Sequence, residues 1–353
     1  MPKAALPRFI INSSAPIRIC DNGGWTDTWF AEYGSVFNIA VAPLVEVQLL
    51  VYEQNAHQDN IIINAENYND RYQYTSQRSV SEKIWGKHPL LEAAIEYMHI
   101  PPGCQFEAVI FSSAPGGAST GTSAAVCVAL IGALDYLTPG RLTPGEIAAG
   151  AHKVETDLLG GQSGIQDQLS AAFGGINYIE MDHYPHSDVH PIHIPDDLWW
   201  ELERRLCLIY LGRSHSSSDT HRMVIKSLDD AGPACKQLDN IRATALRSRD
   251  ALLDGDLNEL GKAMIENTGA QERLHPDIIN RDTLRLIQIA KEHDAVGWKS
   301  NGAGGEGGSL TILCGPDASE KRRMIKSIES DSHLFRNIPV TISRCGVKVW
   351  EQT

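Results

Sequence analysis

The chain has 353 residues, 42% of them hydrophobic and 21% charged, with a formal net charge of −13. This composition excludes a disordered polymer, and the acidic balance excludes nucleic-acid or anionic-membrane binding through bulk electrostatics, while a local basic pocket stays open. A chain this long buries about three quarters of its unfolded surface without a metal or disulfide staple, and its length suggests two domains.

Residues 18–20, 35–42 and 45–52 read as strands, the last alternating and β-branched, and 61–64 and 72–74 add short ones. Residues 88–98 have helical spacing and 106–111 read as a strand. A glycine-rich turn then leads into a strongly apolar helix, 123–137. Residues 143–159 predict a helix opened by a capping box of Thr143 and Glu146, and 168–173 predict another. Near 183–198, Pro, His and Asp crowd together without apolar periodicity. The domain boundary is placed there, giving residues 1–190 and 200–353 as the two domains. The irregular spacing of its histidines favours a solvated connection over a metal site. Beyond it come a strand at 206–211, helices at 219–229, 235–252, 256–272 and 281–293, and strands at 309–314, 340–343 and 347–350.

The seven cysteines are widely spaced and include no C-x-x-C, which argues for buried thiols in a reducing compartment rather than a zinc ribbon or disulfide framework. No signal-peptide pattern opens the sequence, and no run approaches the roughly 20 apolar residues of a membrane span. A cytoplasmic protein with no nucleic-acid or membrane partner is expected, and a homodimer is left open.

Five segments carry chemistry. Pro115, Gly116, Gly117, Ala118, Ser119, Thr120, Gly121, Thr122 and Ser123 lie between a strand and a helix. Free amides at a helix start, small residues and two hydroxyls suit a phosphate; a tight βα connection is the plain alternative. Thr122 stands where a P-loop has Lys, which disfavours a Walker-type NTPase. The second glycine run, 302–308, contains G-x-G-x-x-G but is followed by a strand, so dinucleotide binding is rejected and either a flexible loop or a backbone lining beside a ligand remains. Residues 18–27 place Arg18, two glycines, Trp25 and Asp27 together, a carboxylate and an apolar platform for sugar hydroxyls, or an ordinary Asx turn. Asp167 reads as a general base or, more simply, a helix cap, and the loop with Arg213 and His215 as an anion or sugar site or a helix start.

Taken in order, these segments resemble the GHMP kinase family, which includes galactokinase, homoserine kinase and mevalonate kinase. A-P-I-R-I-C-D-N-G-G-W-T-D (15–27) is similar to its first motif, 114–125 to its phosphate loop and 299–308 to its third motif. Glu155 and the segment G-I-Q-D-Q (164–168) resemble its metal-binding and catalytic region. The first motif and G-I-Q-D-Q look most like the sugar-kinase branch, with its heptose 7-phosphate kinases and fucokinase domain. The resemblance implies an α+β, two-domain fold, the N-terminal part like ribosomal protein S5 domain 2 and the C-terminal part ferredoxin-like. It implies transfer of the ATP γ-phosphate to a sugar or sugar-phosphate hydroxyl, the anomeric one, with Mg²⁺. Residues 115–123 would cradle ATP, and Glu155 with Ser123 or Thr122 would hold Mg²⁺. Asp167 would take the hydroxyl proton and Arg18 would stabilise charge. Asp27 would bind sugar hydroxyls, and Gly302, Gly304 and Gly305 would back the substrate and phosphates. Trp25, Arg213 and His215 are read from their own segments as further sugar contacts. Ser119 and Thr120 replace the family's usual Gly-Leu, and Glu306 interrupts the third motif. A non-catalytic sugar and ATP sensor, or an enzyme for an acidic or isoprenoid acceptor, are the alternatives; Arg18, Arg213, Arg222 and Lys299 would serve an anionic substrate.

Overall fold

The computed structural model describes residues 6–53, 60–77, 83–213, 217–228, 232–305 and 307–352. The first half is built on one nine-stranded sheet. Strand β1 (Phe9–Asn22) runs antiparallel to β2 (Gly34–Val51), from Phe9 opposite Val51 to Asn22 opposite Phe37. The two strands expected at 35–42 and 45–52 are therefore one, because both halves pair with β1 across a register shift at Pro16/Ile17. Strands β3 (Asn60–Ala65) and β4 (Asp70–Tyr74) form an edge hairpin. Helix α1 (Pro89–Tyr97) leads to β5 (Gln105–Ser112), which enters between β2 and β3.

Helix α2 (Thr122–Asp135) is apolar on every side, and it is buried against β1 and β2 accordingly. The capping box forms at the start of α3 (Pro144–Lys153), but a π-helical turn, Val154–Leu158, replaces the expected helical continuation. Helix α4 (Gln166–Phe173) follows. Strands β6 (Ile176–His183) and β7 (His186–Pro191) then form a hairpin that pairs with β2. The segment read as a solvated connection is thus largely a hairpin arm. Its outer strand has Val189 as its one aliphatic residue and no fully buried position, so no apolar alternation marks it.

Helix α5 (Asp196–Arg205), unforeseen in the sequence, opens the second half. Strand β8 (Leu206–Tyr210), helices α6 (Ser217–Leu228), α7 (Lys236–Leu253), α8 (Leu257–Leu274) and α9 (Arg281–Glu292), and strands β9 (Gly297–Ser300) and β10 (Ser309–Leu313) follow. Helix α10 (Ala318–Asp331) and β11 (Arg336–Ile338) complete an antiparallel four-stranded sheet in the order β11-β8-β10-β9. This β-α-β-β-α-β succession is that of a ferredoxin-like unit. The tail then leaves it: β12 (Thr341–Ile342) pairs with β2 and β13 (Lys348–Glu351) with β1. Two strands of the expected block 200–353, β12 and β13, thus pair with the first sheet.

Strand β8 joins the halves. Leu206 and Leu208 face the core of the first sheet, whereas Cys207 and Ile209 face that of the second. That alternation buries both faces of one strand and sets the second sheet beside the loop that precedes α2.

Candidate active site

The loop between β5 and α2 is held by its carbonyls. The Asn67 amide both donates to and accepts from the Ser112 backbone, at 2.8 Å each, where the loop begins. Ser309 Oγ donates to the Ala118 carbonyl (2.6 Å), Arg18 Nη1 to that of Ser119, and the Arg18 amide to that of Thr120 (2.9 Å). Gly121 caps α2 in the left-handed region (φ 69°), and no side chain caps the first turn. Uncapped first-turn amides with the positive end of the helix dipole form an anion site. Residues 115–123 all line a cleft of about 1230 Å³. Ser119 takes the glycine-like φ of 58° itself, at a cost of about 1–2 kcal/mol. Thr120 is buried, its hydroxyl 3.1 Å from that of Thr122.

Arg18 and Asp167 meet beside this loop although 149 residues separate them. Arg18 Nε donates to Asp167 Oδ1 (2.7 Å) and Nη2 to Oδ2 (3.2 Å). Burial opposes the charge of Arg18, but the carboxylates of Asp167 and Asp21 more than offset it, so the guanidinium stays charged. The cap reading of Asp167 is overturned: Ile165 is the N-cap of α4, no side chain caps it, and Asp167 turns to Arg18 instead. A Cβ at Gly121 would stand 3.1 Å from Asp167 Cγ, so a glycine there lets the carboxylate approach the start of α2.

Glu155 lies in the π-helical turn and accepts from Ser163 Oγ (3.0 Å) and Gln168 Nε2. Burial, followed by the charge of Asp167, pushes its carboxyl up to about 7, against the hydrogen bonds of Ser163, Gln168 and Ser123. Glu155 is half-buried and lines the cleft; a carboxylate beside a hydroxyl, disfavoured there as a free anion, fits a hard cation.

Asp27 is 3% exposed and its Oδ2 accepts the Gln166 amide (3.1 Å). Burial pushes it up to about 6, helped by the charges of Asp167 and Asp21. Trp25, Asp27 and Gly302 line the cleft, whereas Gly304 and Gly305 pack against the Ile278 backbone outside it. Arg213 is exposed and is not among the described residues that line the cleft. His215 and Glu306 lie outside the described residues. Lys299, expected to serve an anionic substrate, is fully buried and paired with Asp21. Gly164 sits against Asp27, and an added Cβ would fall 2.1 Å from Oδ2. Gly164→Ala must displace that carboxylate. We expect the acceptor KM to rise at least about tenfold, a loss of one or two polar contacts, with the KM for ATP little changed in steady-state assays.

Sequence reasoning missed Asp21, Ser163 and Gln168, although Asp21 and Gln168 stand inside segments singled out for chemistry. Tyr68, His88 and Arg336 also line the cleft, from segments without any motif.

A profile of the GHMP kinase N-terminal domain matches residues 89–175, from α1 through the phosphate loop to Gly175. The chain is 30% identical over 248 residues to a mevalonate kinase of Thermococcus sibiricus, covering 68% of each chain. It is 24% identical over 347 residues to the D-glycero-alpha-D-manno-heptose 7-phosphate kinase of Campylobacter jejuni, covering 96% of this chain and 98% of that one. In fold it matches a D-glycero-D-manno-heptose 1-phosphate kinase from Bacteriodes thetaiotaomicron with a TM-score of 0.74 at 22% identity, covering 96% and 98% of the two chains. The chain belongs to the GHMP kinase family. The homologues are phosphotransferases that act on a hydroxyl group, and GHMP kinases use ATP as donor.

Proposed function

We propose that this protein phosphorylates a sugar, transferring the γ-phosphate of ATP to its anomeric hydroxyl with Mg²⁺. The observation that carries the reading is the Arg18–Asp167 pair, held at 2.7 Å between the phosphate loop and the end of the cleft lined by Trp25 and Asp27. The backbone of residues 116–123 and the N-terminus of α2 bind the triphosphate. Glu155 with the Ser123 or Thr122 hydroxyl would hold Mg²⁺, which would supply charge neutralisation for the phosphates. Asp27 orients sugar hydroxyls. As the acceptor oxygen bonds to phosphorus and the bond to ADP breaks, Asp167 takes the hydroxyl proton and Arg18 offsets the charge on the equatorial oxygens.

The likeness in sequence to the Campylobacter heptose 7-phosphate kinase over nearly the whole chain supports a sugar acceptor. The mevalonate kinase of Thermococcus sibiricus supports a second reading, an isoprenoid-precursor acceptor. Mg²⁺-dependent ADP release separates the two, measured over free hexoses, deoxyhexoses, uronic acids, heptoses, heptose phosphates and mevalonate. The sugar reading expects turnover with at least one sugar and none with mevalonate. Turnover with mevalonate alone, or tight sugar binding without turnover, overturns it.

A further inference from the structure

Beneath the Arg18–Asp167 pair lies a second ion pair that the phosphoryl-transfer scheme does not use. Asp21, at the end of β1, and Lys299, on β9, are both completely buried. Lys299 Nζ donates to Asp21 Oδ1 (3.1 Å), to Gln271 Oε1 (3.1 Å) and to the Ser300 carbonyl. The Gly302 amide donates to Asp21 Oδ2 (2.9 Å), and Gln271 Nε2 closes the ring by donating to the Gly302 carbonyl (3.1 Å). Asp21 Oδ2 also stands 3.9 Å from Arg18 Nη1.

This ring touches the reacting end of the cleft in two places. A Cβ on Gly302 would lie 3.0 Å from the Ser119 carbonyl and 3.3 Å from Arg18 Nη2, so the turn lies too close to the phosphate loop and the guanidinium to leave room for a side chain. Two cations, Arg18 and Lys299, sit among the carboxylates of Asp21 and Asp167, with Asp27 close enough to act on Arg18 as well. Without Lys299, Asp21 would be a buried carboxylate whose nearest remaining cation is Arg18, and it would draw the guanidinium away from Asp167. Without the Asp21 carboxylate, the Lys299 ammonium would lose its counter-ion. An apolar pair could fill the same volume without loss of stability, so the position of these charges against Arg18 points to more than packing.

We propose that Asp21 and Lys299 are positioning residues for phosphoryl transfer: the pair holds the Gly302 turn against the phosphate loop and keeps Arg18 aimed at Asp167. The kinetic half of this inference rests on the kinase reading above; the spectroscopic half does not. Asp21→Asn, Lys299→Met and the double variant are compared with wild type in thermal unfolding, kcat, KM and the NMR signal of the Arg18 Nε–H group. Each single change leaves one charge buried without its counter-ion and lowers the melting temperature, and the double change restores it. In the double variant kcat stays about 10–100-fold below wild type with both KM values within about threefold, as expected for loss of one aligned electrostatic contact. Its Arg18 Nε–H signal, protected from exchange by Asp167 in the wild type, broadens or shifts. A double variant with restored melting and an unchanged Arg18 signal overturns the proposal, as does one whose kcat returns to within about twofold of wild type. If wild type turns over no acceptor, the kinase reading falls and the Arg18 signal alone decides this one. If the double variant does not fold, the near-isosteric Asp21→Asn is read by the same signal.

Discussion

Asp167→Asn is expected to lower kcat by about 10²–10⁴-fold, the range that a positioned general base contributes. The change keeps the shape of the side chain and removes its ability to take a proton. Asp167 is the carboxylate that Arg18 grips with two hydrogen bonds, and its side chain remains partly open to the cleft at 27% exposure. Asp27, the other acid at that end, is almost closed off and already accepts the Gln166 amide. The KM for ATP should move little, because the loop carbonyls stay held by Ser309 and Arg18. Mg²⁺-dependent ADP release with a productive acceptor measures both constants. A kcat within about threefold of wild type would remove Asp167 from the reaction.

Glu155→Gln is expected to act in opposite directions on activity and on the stability of the ligand-free protein. Activity should fall by at least about 10²-fold, with a higher Mg²⁺ requirement, because the carboxylate among the expected metal ligands is gone. Stability follows from linkage. The Glu155 carboxyl rises from an ordinary value of 4.5 to about 7 in the folded protein, through burial first and the charge of Asp167 second. The folded state therefore holds this proton more tightly than the unfolded state. Its contribution is fully present below about pH 4.5 and is lost as pH rises through 7. Asp27, raised from 3.8 to about 6, acts with the same sign at lower pH. Ligand-free wild type should thus lose melting temperature between about pH 5 and 8. Glu155→Gln should flatten the upper part of that slope and melt higher than wild type at pH 8. Mg²⁺ with ADP should raise the wild-type melting temperature at pH 8 and do much less for the variant. Identical pH slopes in the two proteins would show that Glu155 is not the group responsible.

Local chemistry was legible where a short stretch of sequence carries its own physics. The capping box at Thr143 and Glu146 forms where its spacing places it, because its hydrogen bonds join residues three apart. The apolar run after the phosphate loop becomes a buried helix, because no face of it tolerates water. Glycines and small residues at 115–123 do line the cleft. Several elements left no comparable trace. The outer strand of the 176–191 hairpin has no fully buried position, β9 is only four residues long, and α10 buries only Met324 and Ile328.

The amino-acid sequence by itself determined which chemistry the chain carries: an anion-binding helix start, a guanidinium, three acids and a set of glycines in an order that marks the GHMP kinase family. Only the tertiary structure decided which of these groups face one another. Arg18 meets Asp167 through the packing of β1 against α4, and Asp21 meets Lys299 across 278 residues where β1 approaches β9. The same folding turned Lys299 from an expected substrate contact into a buried counter-ion, and set Gly304 and Gly305 against Ile278 rather than the cleft. The physical reason is range: capping and amphipathic periodicity act over a few residues and can be read along the chain. Burial and charge pairing instead depend on neighbours that only the closed fold supplies.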